Sequence, residues 1–233
     1  MGMGKHCLCV LLCVLLLWGS VGRAEAKNGK YVALTFDDGP SGAFTRELLA
    51  GLKERGVKAT FFLCGYRVDQ YPKLAAQIAR EGHEIGTHSD AHKFFGKMSQ
   101  WEIDRDLAAS VEKIRKATGK DPTLLRPPGG IYSRSVLGKT CCKELPIILW
   151  SVDPDDWCCN NSNTVVQRVL SQTKSGDVIL LHELSESSVQ AAFRIIDELQ
   201  GQGYTFVTVS QLAKLSGKEL VGGEVYSRFR IDN

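Results

Sequence analysis

Residues 31–40, YVALTFDDGP, are the stretch from which the fold class can be predicted. Residues 31–36 are rich in β-branched and aromatic side chains, a composition that favours a short strand. Apolar side chains then recur at helical spacing over residues 44–55, and Gly56 ends this helix before a second strand-like run at 59–63. A strand, a helix and another strand in this order are typical of a parallel sheet covered by helices.

The alternation of strands and helices continues along most of the chain. Further strands are predicted at residues 83–86, 124–126, 147–152, 178–181 and 205–209, and helices at 74–80, 101–118, 164–173 and 189–199. About seven strands, most of them followed by a helix, predict an α/β fold whose largely parallel sheet is closed or nearly closed into a barrel. We expect one domain at residues 27–217 and a polar tail at residues 218–233.

The overall composition is that of an ordinary globular protein. The 233 residues are 43% hydrophobic and 24% charged, with a formal net charge of +3. This balance excludes an intrinsically disordered or collagen-like chain. No block rich in lysine and arginine occurs, so we expect no nucleic-acid partner.

The first 26 residues have the features of a secretory signal peptide. Lys5 precedes an apolar run of twelve residues, 7–18, and the small-x-small site Ala24-Glu25-Ala26 follows. An uncleaved membrane anchor is the alternative, but a bilayer span needs roughly 20 apolar residues. We expect cleavage after Ala26, no stable membrane span in the mature chain, and a location that is secreted or at the cell surface or cell wall.

Export changes how the cysteines are interpreted, because disulfides persist in oxidising compartments. Removal of the signal peptide leaves an odd number, so at least one is free or pairs between chains. The remaining five are Cys64, Cys141, Cys142, Cys158 and Cys159. One bridge between the 141–142 and 158–159 pairs is an option, although ordinary packing is the simpler interpretation. No C-x-x-C occurs, so a thiolate zinc site is unsupported.

Polar side chains that are suited to catalysis follow most of the predicted strands. They are Asp37 and Asp38, His88 and His92, Arg126, Asp153 and Asp156, and His182. Because loops at the carboxyl ends of parallel strands meet on one face of an α/β barrel, we expect these side chains to lie close together. The sequence therefore predicts a functional site on that face.

Two histidines and a carboxylate in this group form a candidate metal site. His88 and His92 are four residues apart, a spacing that lets both imidazoles reach one ion. Either Asp37 or Asp38 can supply the third ligand, which leaves open positions for water. Neighbouring side chains usually point in different directions, so one aspartate can bind the metal while the other acts as a base.

Other polar residues have both a functional and a structural interpretation. His182 ends a buried strand and is a candidate general acid, although a core histidine is the alternative. The planar guanidinium of Arg126 is suited to orienting a carboxylate. His83 is interpreted as structural. Trp157 could stack against a sugar or pack in the core, and composition does not decide between the two.

Five motifs of the chain, in order, resemble those of the polysaccharide deacetylases (the NodB homology domain, carbohydrate esterase family 4). These are Thr35-Phe36-Asp37-Asp38-Gly39-Pro40, His88-Ser89-x-x-His92, Arg126-Pro127-Pro128, Asp153-x-x-Asp156-Trp157 and Ile179-Leu180-Leu181-His182. The likeness to bacterial peptidoglycan and chitooligosaccharide N-deacetylases runs from Tyr31 to about Leu215. It implies a distorted (β/α) barrel with about seven strands.

The resemblance also implies roles for individual residues. Asp37 matches the catalytic base, while the matched metal ligands are Asp38, His88 and His92. The family usually binds Zn²⁺, and its members also use divalent ions such as Co²⁺, Ni²⁺ or Mn²⁺. Arg126 matches the arginine that orients the base, and Asp156 matches the aspartate that tunes the acid, His182. The substrate-contacting positions implied are Trp157 and Leu180, which line the acetyl pocket, and Gly129, whose backbone N–H faces the oxyanion.

Two positions depart from the family pattern. Gly129 stands where an aromatic residue commonly follows the two prolines, so the backbone donor is kept but a wall of the groove is lost. Glu183 stands where aspartate often follows the acid histidine. The departure at Gly129 bears on substrate fit more than on chemistry.

The activity implied is hydrolysis of N-acetyl groups on a polysaccharide that contains N-acetylglucosamine, with release of acetate. The polymer expected is peptidoglycan or a chitin-like chain. The rivals are an O-acetyl esterase that acts on acetylated xylan and a catalytically inactive wall-binding relative. A glycosidase is disfavoured, because its two carboxylates must stand about 5–9 Å apart across the sugar bond whereas Asp37 and Asp38 are adjacent.

Overall fold

The computed structural model describes residues 29–132 and 143–231, which form one curved sheet covered by helices. The strands are β1 (Lys30–Gly39), β2 (Thr60–Leu63), β3 (Glu84–Thr87), β4 (Leu124–Leu125), β5 (Ile147–Ile148), β6 (Val178–His182), β7 (Tyr204–Val207) and β8 (Val225–Tyr226). The helices are α1 (Ala43–Glu54), α2 (Gly65–Gln70), α3 (Pro72–Arg80), α4 (Gln100–Thr118), α5 (Ser162–Gln172), α6 (Glu186–Gly201) and α7 (Val209–Leu215). Short 3₁₀ turns lie at Phe95–Lys97, Pro128–Gly130 and Asp156–Cys158.

The sheet is parallel throughout and curls toward closure. Its strand order is β6-β1-β2-β3-β4-β5-β8, and β7 pairs with the first half of β1. Beyond β5, Val152 forms a bridge to Ile179 of β6, so the two ends of the curl approach each other. This curled half-barrel confirms the fold class predicted from the sequence.

Burial on both faces explains why the strands read as continuous apolar runs. The residues of β2 and residues 178–181 of β6 are all buried. The helices pack on the outside through the apolar faces that their spacing predicted, among them Leu48 and Leu52 of α1 and Ile195 and Leu199 of α6. The packed interior thus fixes the carboxyl ends of the strands relative to one another.

The carboxyl-terminal segment contributes to this framework. β8 pairs with β5, and Phe229 is fully buried. Gly176, at φ +90°, lies so close to the Phe229 carbonyl oxygen that an added Cβ would stand 1.7 Å from it. The glycine is therefore required where this segment crosses the loop before β6.

Several expectations fall on residues outside the described ranges. The predicted signal peptide is one, and the pair Cys141 and Cys142 of the suggested bridge is another. Cys64 lies buried at the start of α2. Within residues 29–132 and 143–231, none of the helices combines the length and apolar character needed to cross a bilayer.

Candidate active site

A cleft of about 480 Å³ opens at the carboxyl ends of the central strands. Of the ten positions predicted for the site, those that line the cleft are Asp37, Asp38, His88, His92, Gly129, Trp157, Leu180 and His182. Asp153, a further candidate from the sequence, lines it as well. Arg126 and Asp156 are buried behind this lining and bond to Asp37 and His182, respectively. The structure therefore brings together all ten side chains or backbone positions expected at the site.

A backbone irregularity separates the two adjacent aspartates. The register between β1 and β2 shifts between Asp37 and Gly39, and Asp38 adopts a left-handed conformation with φ +69°. Side chains at such a position leave the normal alternation of a strand. As a result, Asp37 points to Arg126 whereas Asp38 points to His92.

Asp38, His88 and His92 form a compact set of ligand atoms. The Asp38 Oδ1 atom lies 3.0 Å from His92 Nε2 and 3.5 Å from His88 Nε2, and one ligand atom from each residue lies within 4.8 Å of the others. His88 Nδ1 is 2.6 Å from the backbone carbonyl oxygen of Arg126, which leaves Nε2 for the site. One carboxylate oxygen and two imidazole nitrogens suit a divalent ion such as zinc, and the fixed outer nitrogen of His88 is the usual support for such a ligand.

The loop that carries the two histidines is tied down by its own polar groups. The backbone N–H of His92 donates to Ser89 Oγ at 2.9 Å. Asp106 of α4 accepts from the backbone N–H groups of Asp90 and Ala91 at 2.7 and 3.0 Å. These bonds hold His88 and His92 on the same side of the loop, as the spacing predicted.

The charges in this cluster are strongly coupled. Burial lowers the pKa of His88 despite the nearby Asp37 and Asp38, and a neutral imidazole is the form that binds a metal. The hydrogen bond to Asp38 raises the pKa of His92. Burial opposes ionisation of Asp38, but its bond to His92 and the charges of the surrounding histidines prevail and lower its pKa to about 2.

Asp37 is held rigidly by a buried arginine. The Asp37 Oδ1 atom accepts from Arg126 Nη1 at 2.7 Å, while Asp37 Oδ2 lies 3.6 Å from His88 Nε2. Three further donors of Arg126 are bound to Thr35 Oγ1 at 2.8 Å and to the carbonyl oxygens of Ile148 and Leu149 at 3.0 and 3.1 Å. The guanidinium thus fixes one carboxylate oxygen of Asp37 and leaves the other directed toward His88.

His182 forms a second, separate charge pair. Its Nδ1 atom lies 2.8 Å from Asp156 Oδ1, and its backbone N–H donates to Asp156 Oδ2 at 2.9 Å. Burial opposes protonation, but the hydrogen bond and charge of Asp156, aided by Asp37 and Asp38, raise the pKa of His182 to about 9. This imidazole therefore carries a proton at neutral pH, with Nε2 as the nitrogen that is not committed to Asp156.

The walls of the cleft are aromatic. Trp157 is 68% exposed, which favours the sugar-facing interpretation over the core interpretation. Gly129 has φ +63°, and an added Cβ would stand 2.9 Å from the ring of Phe94. Phe94 therefore occupies space beside the glycine that replaces the family's aromatic residue. Phe94 was not predicted from the sequence, and neither were the other lining residues Trp150 and Asp155.

Glu183, the other departure, supports the turn that carries Asp38. Its side chain is fully buried, accepts a hydrogen bond from the hydroxyl of Thr45, and lies against Gly39, where an added Cβ would stand 1.6 Å from Glu183 Oε1. The hydroxyl of Ser41 donates to the Glu183 carbonyl oxygen. Burial raises the pKa of Glu183 to about 8.

The chain is similar to known polysaccharide deacetylases in sequence and structure. The family model described as polysaccharide deacetylase matches residues 24–143. The chain is 40% identical over 188 residues to the Bacillus subtilis protein named peptidoglycan-N-acetylmuramic acid deacetylase PdaC, covering 81% of this chain and 40% of that protein. It is 38% identical over 201 residues to a Bacillus cereus peptidoglycan-N-acetylglucosamine deacetylase, covering 84% of this chain and 94% of the relative.

A solved structure of PdaC from Bacillus subtilis has the same arrangement of elements. It matches with a TM-score of 0.79 at 39% identity, and the match covers 82% of this chain and 93% of that structure. The present chain spans less than half the length of the full PdaC protein.

Proposed function

The chain belongs to the polysaccharide deacetylase family, and from this premise we propose that it is a metal-dependent hydrolase that releases acetate from N-acetylated sugars of peptidoglycan. One observation carries the proposal. A three-ligand set, Asp38, His88 and His92, lies beside a carboxylate, Asp37, that is held apart from it by Arg126. A protonated histidine, His182, lines the same cleft.

The ligand set is suited to Zn²⁺, although the chemistry of one oxygen and two nitrogens also accommodates Co²⁺, Ni²⁺ or Mn²⁺. An ion held by Asp38, His88 and His92 would polarise the acetyl carbonyl and lower the pKa of a nearby water from 15.7 to about 7. That acidity is within reach of a carboxylate base, which explains why the base can be an aspartate.

Asp37 acts as that base. Its Oδ2 atom is the oxygen not bound to Arg126, and it lies within 3.6 Å of a ligand nitrogen, so a water next to the metal ligands is also next to the base. The proton passes to Asp37 as the oxygen of the water attacks the acetyl carbon. Arg126 holds the carboxylate of Asp37 in the position from which it accepts the proton.

His182 acts as the acid in the second half of the reaction. Collapse of the tetrahedral species expels the sugar nitrogen, which must gain a proton to leave as an amine. Asp156 keeps His182 charged and orients its ring, so that the proton is available at Nε2. The N–H of Gly129 is proposed to donate to the oxyanion, an interaction that typically contributes about 3 kcal/mol.

Peptidoglycan is the proposed polymer because similar proteins are named for it. Those names cover both N-acetylmuramic acid and N-acetylglucosamine, and we propose N-acetylglucosamine as the sugar of this chain. A predicted signal peptide at residues 1–26 would place the enzyme outside the cell or in the cell wall, where this polymer lies.

A substrate panel tests the proposal. Purified protein is stripped with a chelator, and acetate release is measured from peptidoglycan, N-acetylglucosamine oligomers and acetylated xylan before and after adding Zn²⁺, Co²⁺, Ni²⁺ or Mn²⁺. We expect release from peptidoglycan that disappears with the chelator and returns with metal. Release from acetylated xylan alone would replace the deacetylase with an O-acetyl esterase. Sugar binding without release in any metal would identify an inactive relative.

A further inference from the structure

A second groove of about 330 Å³ is lined in part by the loop that carries His88 and His92. Lys93 and Trp101 are among its lining residues, whereas Phe94 lines the catalytic cleft. Adjacent residues of one loop, Lys93 and Phe94, therefore face the two depressions. The groove and the cleft share this loop as a common wall.

Trp101 gives the groove an aromatic floor that no core residue covers. It is 63% exposed at the start of α4, and the guanidinium of Arg105 lies 4.5 Å from the centre of its ring. The arginine stacks on one face of the indole, in an arrangement that holds the ring in place. An exposed tryptophan flanked by hydrogen-bond donors is suited to the apolar face and the hydroxyl groups of a pyranose ring.

The loop that joins the two depressions is anchored in the core. Phe95 is buried against Ile103 and Leu107 of α4, in the cluster that also contains Leu125. Ser99 and Glu102 form a capping box that fixes the first turn of this helix. Trp101 is thus presented by rigid elements, as a binding surface requires.

The acidic side chains of the groove are already bound to other groups of the protein. The basic side chains are therefore the ones that can donate hydrogen bonds to a ligand. Asp106 accepts the two backbone N–H groups of the loop, and Asp90 pairs with Lys113 at 2.8 Å. Glu102 is bound to Ser99. The groove therefore presents Trp101 together with the side chains of Lys93 and Arg105 to an incoming ligand.

From this placement we propose that the groove is a second sugar-binding subsite, which holds a sugar ring of the same glycan chain whose acetylated unit occupies the catalytic cleft. The proposal rests on the proposed function for the identity of the chain. A polymer that contacts both depressions gains affinity from the second contact because that contact is intramolecular. The enzyme should then favour long glycans over short ones.

Binding measured by calorimetry tests this subsite without requiring turnover. The probes are N-acetylglucosamine oligomers of two and six units, titrated into zinc-supplemented Asp37→Asn protein so that little substrate is consumed. We expect the six-unit oligomer to bind more tightly than the two-unit oligomer. The additional substitution Trp101→Ala should lower the affinity for the six-unit oligomer by about tenfold, the equivalent of about 1.4 kcal/mol. The affinity for the two-unit oligomer should stay unchanged. Trp101→Phe should recover part of this loss.

Tyr66→Ala is the matched control. Tyr66 is also a partly exposed aromatic residue, and the centre of its ring lies 5.4 Å from the guanidinium of Arg67. Unlike Trp101, it lines neither the groove nor the catalytic cleft. Equal binding of the long oligomer with and without Trp101 would overturn the proposal. An equal loss of affinity for both oligomers in Trp101→Ala would also overturn it. An equal loss for the six-unit oligomer in Tyr66→Ala would do the same. If the subsite is present but wild-type protein releases no acetate from any glycan, the proposed function fails and the subsite stands.

Discussion

The surroundings of His88 and of His182 differ in one partner atom, and that difference separates two kinds of chemistry. His88 directly follows β3 and His182 is the last residue of β6 in the same sheet, and both use Nδ1 in a hydrogen bond. The partner of His88 is a neutral carbonyl oxygen, and burial lowers its pKa. Burial also acts against the charge on His182, but its carboxylate partner Asp156 raises the pKa to about 9. The outer partner thus favours a neutral imidazole at His88, the form proposed to bind metal, and a protonated one at His182, the proposed acid.

The largest effect on activity is expected when His88, the proposed metal ligand, is replaced. His88→Ala removes a ligand, so the protein should lose both its bound metal and its acetate release. Metal content after dialysis and acetate release measure the two outcomes. His83→Ala is the matched control, since His83 is a buried histidine whose Nδ1 accepts the Ala59 N–H at 3.2 Å, outside the cleft. Metal retention in His88→Ala would remove this residue from the ligand set.

A second variant is expected to distinguish the role of the catalytic base from that of the metal ligands. Asp37→Asn keeps the shape of the side chain but cannot accept a proton, so kcat should fall by about 10²–10⁴-fold. The metal content should stay at the wild-type level, because the ligand oxygen proposed is that of Asp38. A near-normal kcat in this variant would show that another group takes the proton.

The pH dependence of kcat tests the proposed role of His182 as the general acid. His182 must be protonated to donate, so activity is expected to decline as pH rises through its pKa, about 9 in the presence of Asp156. Asp156→Asn removes the charge that raises this pKa, and the alkaline limb should move to lower pH, toward the ordinary value of 6.5. Asp155→Asn, at an adjacent and exposed carboxylate, should leave the limb unchanged. An unmoved limb in Asp156→Asn would contradict the role of His182.

The smallest effect concerns stability rather than rate. The pKa of Glu183 rises from 4.5 to about 8 in the folded chain, so between these values the folded state binds more protons than the unfolded state. Stability from this group therefore falls as pH rises through that window. Glu183→Gln should raise the free energy of unfolding at pH 8 by at least about 1 kcal/mol, with little gain at pH 5. Urea unfolding at pH 5 and pH 8 measures the free energy of unfolding of both proteins. An equal change at the two pH values would show that the titration of Glu183 does not affect stability.

Elements with a clear hydrophobic period were predictable from the sequence, and several of the short ones were not. α4 was expected at residues 101–118 and spans Gln100–Thr118. α2 and α7, of six and seven residues, and β8, of two, are too short to show a period, and the sequence analysis missed them. Their positions follow from tertiary packing, which local sequence does not record.

In the site, too, some features follow from the sequence pattern and others only from tertiary packing. Residue types at strand ends were enough to gather Asp37, Asp38 and His182 on one face. Residue spacing alone left the roles of Asp37 and Asp38 open, and only the family resemblance assigned them. In the structure, the left-handed backbone at Asp38 makes the two side chains point in different directions. Phe94 and Phe95 are identical in type, yet one lines the cleft and the other is buried. Only the path of the loop through space distinguishes them.

Anomalous diffraction from crystals grown with Zn²⁺ tests the central claim most directly. The account predicts one strong peak bonded to the Asp38 carboxylate and to Nε2 of both His88 and His92, with Asp37 outside bonding distance. A peak bonded to Asp37 instead of Asp38, or a zinc site that does not involve the two histidines, would contradict it.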